Sequence, residues 1–162
     1  MCCKIMAVPE LEKPRDQWCK HCDVGRGCKI YLERPEPCRT FYCTYLQDGA
    51  IGEHWKPAHS RMVLTSDASA LYVYVDPARA DAWRKEPYYS DLKQWSAGFA
   101  KKKIMTIVCL GQSLTAILPD RDKSLGTQGP DKALRMVVRQ GARGPEYDVE
   151  AYDPGVVVPG PA

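Results

Sequence analysis

Most features that announce a function are missing from this chain. Its 162 residues include three histidines and two phenylalanines, and the formal charge is only +3. The longest basic run is Lys101-Lys102-Lys103, too little for binding by phosphate neutralisation, so no nucleic-acid partner is expected. That triplet reads as a solvated turn before a strand. The N-terminal MCCKIMAVPELEKPRD lacks the apolar stretch of roughly 7 to 15 residues that a signal peptide needs, and nothing approaches the roughly 20 apolar residues of a membrane span. A cytoplasmic protein without a membrane partner is the expectation. There is no P-loop, no G-x-G-x-x-G and no internal repeat, and Gly111-Gln112-Ser113 is not a nucleophile elbow, so no catalytic residue is assigned.

Against this background stands the cysteine distribution. Of eight cysteines, Cys2, Cys3, Cys19, Cys22, Cys28, Cys38 and Cys43 fall in the first 43 residues, and Cys109 stands alone. Cysteines used as small core hydrophobes would be spread more evenly. Clustering indicates a metal site or a disulfide framework, and in a reducing compartment metal is the stronger reading. Cys19 and Cys22 have the two-residue spacing that lets both sulfurs of a tight turn converge on one ion. Cys28, Cys38 and Cys43 bring the local count past the four thiolates a tetrahedral site requires. Cys2 and Cys3 are candidate additions or spectators. Gly25 and Gly27 let the backbone wrap between Cys22 and Cys28, and Pro35 and Pro37 stiffen the approach to Cys38. Lys20, Arg26, Lys29, Arg34 and Arg39 are placed to screen the negative charge of a thiolate site and favour its deprotonated form. His21 lies inside the C-x-x-C turn, where side chains usually point away from the ion. His54 and His59 read as surface polar residues.

The segment GCKIYLERPEPCRTFYC, Gly27 to Cys43, resembles the signature of the cysteine-rich zinc- or iron-chelating domain family, in which C-x-IY-x-x-RP-x-x-CR-x-F-x-C recurs. The resemblance implies that Cys28, Cys38 and Cys43 are ligands, that Tyr31, Arg34, Pro35 and Arg39 support them, and that Cys19 and Cys22 are the family's C-x-x-C pair. In the family an adjacent cysteine pair follows the C-x-x-C shortly, whereas Cys2-Cys3 precedes it. A cysteine signature of this type also occurs in a flagellin lysine methylase.

Past residue 60 the pattern changes. Met62 to Thr65 and Leu71 to Val75 alternate as strands, with Leu71, Val73 and Val75 on one face and Tyr72 and Tyr74 on the other. Asp76-Pro77 is the start of a helix that should end before Pro87, and a second helix from about Pro87 or Ser90 to about Gly98 carries Leu92, Trp95 and Phe99 on one stripe. Ile104 to Leu110 and Ser113 to Leu118 form a hairpin about Gly111-Gln112. Cys109 shares a face with Met105 and Ile107, as a buried side chain would. Residues 119–132 read as a long loop, Leu134 to Gln140 as a strand, and 153–162 as a disordered tail.

The expectation is an α+β protein in which an irregular metal-binding module, residues 1–60, packs on a small antiparallel sheet with two helices on one face, residues 61–152. Its function is expected to be metal binding through thiolate-ligated zinc, with a structural or protein-interaction role. Iron or an iron-sulfur cluster in a redox or protein-modifying enzyme is the alternative, and metal storage or sensing a third.

Overall fold

The computed structural model describes residues 1–129, 132–142 and 144–154. Residues 155–162, most of the expected tail, lie outside them. The first third holds short elements only: helical turns α1 (Cys2–Ile5), α2 (Glu36–Thr40), α3 (Thr44–Gln47) and α4 (Pro57–Ser60), and two-residue strands β1 (Cys22–Asp23) and β2 (Gly27–Cys28). Pro9, Pro14, Pro35, Pro37 and Pro57 break this stretch too often for a long helix.

Strands β3 (Met62–Ser66) and β4 (Ala70–Val75) come next, followed by helix α5 (Tyr88–Ala100) and strands β5 (Met105–Leu110), β6 (Ser113–Ile117) and β7 (Asp122–Thr127). They form one five-stranded sheet in the order β3-β4-β5-β6-β7. The pairings are antiparallel except β4 with β5, where Ala70 stands opposite Met105 and Tyr74 opposite Cys109 in parallel register. A separate hairpin joins β8 (Ala133–Gly141) to β9 (Gly144–Tyr152).

This corrects the expected fold, a small antiparallel sheet with two helices on one face. The sheet is mixed and has five strands, because the segment carrying α5 is a crossover, which parallel neighbours require and a hairpin does not. Among the described residues only α5 is a full helix. The stretch expected to be the other one forms 3-10 turns at Pro77–Arg79 and Ala82–Arg84, the second of which buries Trp83. Asp76 does cap the first turn, accepting from the Ala78 N–H at 3.1 Å. Part of the expected loop at 119–132 is strand β7, which adds to β6 with a register shift beside Leu114.

Both faces of the sheet are covered. Leu71, Val73 and Val75 face a core with Trp55, Met62, Leu64, Leu92 and Val108, against which Trp95 and Phe99 of α5 pack. On the other face Met105, Ile107 and Cys109 pack with Ala116, Leu118 and Val149, the last from β9. Lys123 on β7 fastens that hairpin by donating to the Asp148 carboxylate at 2.8 Å and the Val149 carbonyl at 3.0 Å. Among the described residues no helix is long and apolar enough to cross a membrane.

Two of the contacts that carry the cysteine-rich stretch onto the sheet are buried. Ile5 and Cys43 pack with Val63 of β3 in a third apolar cluster. Asp76, fully buried at the end of β4, accepts from the Lys4 ammonium at 2.5 Å and the Arg61 guanidinium at 2.6 Å. Burial alone would raise the Asp76 pKa, but Lys4, the Ala78 N–H and Arg61 together hold it below the usual carboxylate range.

Candidate metal centre

Four segments bring the thiols together. Cys2 and Cys3 ride on α1, whose last residue, Ile5, is buried against the sheet. Behind them the chain folds back on itself, the N–H groups of Val8 and Lys13 donating to each other's carbonyls at 2.9 and 3.1 Å. Lys13 closes this loop from inside. Its side chain is 6% exposed, and its ammonium donates to the Lys4 and Pro14 carbonyls at 2.9 Å and to the Met6 carbonyl. Burial pushes the Lys13 pKa down, opposed by the acidic groups around it, Cys19, Cys3, Asp16 and Cys2. A buried cation thus sits beside three cysteines, and no local pattern in the sequence announces it.

The second segment is the C-x-x-C turn. Its Cys19 N–H donates to the Cys3 carbonyl at 2.9 Å, and the Cys22 N–H donates to the Cys19 carbonyl at 2.9 Å. Cys22 then enters β1 directly opposite Cys28 on β2, the third contributor, so this thiol pair shares one face of the ribbon. The ribbon turns through Asp23 and Arg26, with Gly25 at φ +88° and Gly27 at φ +134°, values closed to most side chains. His21, whose carbonyl continues the ladder by accepting from Lys29 at 2.8 Å, is one residue out of step with Cys22 and falls on the other face.

Cys38 comes from α2. Arg39 beside it stitches the preceding loop, its Nε donating to the Arg34 carbonyl at 2.7 Å, while the Arg34 guanidinium lies 3.9 Å from the Tyr31 ring centroid. These are the positions given a supporting role by the sequence resemblance.

Titration follows from the crowding. The Cys3 thiol donates to Cys2, holding Cys2 down to about 6 and pushing Cys3 up, and the neighbouring Cys22 charge pushes Cys3 further. Burial pushes Cys38 up, and the charges of Cys19, Cys2 and Cys28 add to that. Cys2, Cys3, Cys19, Cys22, Cys28 and Cys38 therefore share one electrostatic neighbourhood, and all are free thiols. Cys43 is placed differently, 5% exposed in the apolar cluster with Ile5 and Val63. Cys109 is buried on the far face of the sheet, where burial pushes its thiol up to about 12. His54 is also elsewhere, hydrogen-bonded to Asp91 at 2.7 Å, and His59 is exposed.

Among the described residues no three His, Cys, Asp or Glu side chains stand arranged to hold a metal ion. The thiols are gathered without forming a closed shell. Sulfur is a soft donor, so a thiophilic cation is the class of ion such a set of thiols would take if they closed further. Compared with known proteins, the chain matches no family model, no curated protein and no solved structure.

Proposed function

We propose that this chain is a metal-binding protein whose cysteine-rich stretch holds zinc through thiolates, and that the metal's role is to order a surface for a protein partner. The observation that carries the reading is that free thiols from separate segments are placed near one another, Cys22 directly opposite Cys28 and the Cys19 N–H on the Cys3 carbonyl, with Cys38 in the same electrostatic neighbourhood. Zinc bound by four thiolates has no open position, which suits fold support rather than catalysis. The cysteine motif from Gly27 to Cys43, with its resemblance to zinc- or iron-chelating domains, supports the same reading.

The interaction role rests on what surrounds the thiols. Trp18, Val24, Tyr31, Leu32, Tyr42 and Leu46 are exposed, Leu32 at 88%, and Val138 is the one other large apolar side chain so exposed among the described residues. A surface this apolar, concentrated in one short stretch, is what a protein contact uses. Metal would fix the loops that display it.

Hydrogen exchange and limited proteolysis before and after chelation test the reading. Stripping the metal should expose residues 2–48 to protease and speed their exchange, while 62–140 stay protected, since the sheet has its own core. Exchange unchanged by a chelator that removes all bound metal would overturn it.

A further inference from the structure

A cavity of about 420 Å³ lies between α4, the 3-10 turns after β4 and the start of α5, away from the thiols. Its volume falls toward the lower end of the roughly 300 to 1,000 Å³ typical of small-molecule sites. His59, Arg61, Arg79, Lys85 and Tyr88 line it, with Asp81 the one acidic side chain. Three permanent cations against one anion is an uneven lining for a chain of net charge +3.

The cations differ in how they are held. Arg61 is locked. Its backbone takes the left-handed conformation, φ +62°, its carbonyl accepts from the Asp76 N–H at 3.0 Å, and its guanidinium binds the buried Asp76 carboxylate at 2.6 Å. Asp76 is shared with Lys4, so it does not cancel the charge of Arg61 in full. Arg79 forms no ion pair among the described residues and is exposed, free to fold over a ligand. Lys85 is held near the rim by Asp81 at 3.1 Å. Tyr88 opens α5, a helix of 13 residues, so the positive end of that helix adds to the field.

We infer that this cavity binds a small phosphorylated metabolite, its phosphate monoester held by Arg61, Arg79 and Lys85 and its carbon skeleton resting against Tyr88. The guanidinium groups match a tetrahedral oxyanion with paired donors, and the volume exceeds what the anion alone would fill. A polyanion is a poor fit, because the basic groups line one pocket rather than a track along the surface.

The test uses the full chain, isotope-labelled, titrated with ribose 5-phosphate and separately with inorganic phosphate, and followed by amide shifts. Saturable shifts at Arg61, Arg79, Lys85 and Tyr88 are expected, with ribose 5-phosphate binding more tightly than phosphate. Arg79→Gln, at an exposed position, should weaken binding about ten-fold while leaving the remaining spectrum in place, and Lys85→Gln should weaken it as well. Shifts reproduced by potassium chloride at matched ionic strength, or affinity unchanged in both variants, would overturn the assignment. Equal affinity for the two probes would reduce it to an ion site and refute the metabolite. None of these outcomes bears on the metal centre.

Discussion

Replacing Asp76 by Asn removes one charge from the point where the cysteine-rich stretch is fastened to the sheet, and leaves the shape almost unchanged. The carboxylate is fully buried and accepts from Lys4, Arg61 and the Ala78 N–H at 2.5, 2.6 and 3.1 Å. Its two cations are not equally trapped. The Lys4 side chain is 13% exposed and the Arg61 side chain 36%, so Arg61 can turn partly to water while Lys4 is left nearly buried without a counter-charge. Breaking a wholly buried pair costs about 3 to 5 kcal/mol, and the escape open to Arg61 lowers the expected loss here to about 2 to 3 kcal/mol. In urea, with a slope of about 2 kcal/mol per molar, tryptophan fluorescence should show the midpoint falling by about 1 to 1.5 M. The pH dependence supplies a second reading. A carboxylate held below its unfolded pKa of about 3.9 contributes stability above that pH and loses it as pH falls through the lower folded value. Parent and variant should therefore converge below about pH 4. A loss under about 0.5 kcal/mol at neutral pH, or a gap that persists undiminished in acid, would refute the anchoring role.

Cys109→Ala should cost about 1 to 2 kcal/mol in chemical denaturation and leave the metal content unchanged, since this side chain packs with Met105, Ile107 and Ala116. Lys13→Met strands carbonyls of Lys4, Met6 and Pro14 and removes the cation beside Cys2, Cys3 and Cys19; amides from Ile5 to Lys13 should exchange faster and metal affinity should fall. Trp55→Phe shrinks a fully buried side chain of the main core and deletes its indole N–H, which donates to the partly exposed Asp91 at 2.8 Å, with an expected cost of about 1 to 3 kcal/mol by thermal unfolding.

What the sequence made legible was local. Alternation at Leu71, Val73 and Val75, the stripe of Leu92, Trp95 and Phe99, the cap at Asp76 and the face shared by Met105, Ile107 and Cys109 all depend on neighbours a few residues away, and all appear in the structure. The parallel pairing of β4 with β5 was missed although its signal was present, a helix pattern lying between two strand patterns. Strands β7 and β9 were missed for a different reason. Their sequences DKSLGT and GPEYDVEAY mix charges, glycine and proline, and they are strands because β6 and β8 offer edges to pair with. The contact of Lys4 with Asp76 spans 72 positions, and no motif links the two. At the candidate centre the thiols were legible by residue type alone, while the separation of Cys43 into the apolar cluster depends on Val63, beyond the module's expected boundary.

The central claim, that the gathered thiols bind metal, is tested most directly by metal stoichiometry in protein purified without oxygen, measured on the parent chain and on Cys22→Ser with Cys38→Ser. About one zinc per chain in a colourless parent, lost in the double variant and kept in Cys109→Ala, is the predicted result. Visible absorption with iron in place of zinc would replace the metal and keep the site. Absence of any metal, with the same cysteines found paired as disulfides by mass spectrometry, would contradict the account.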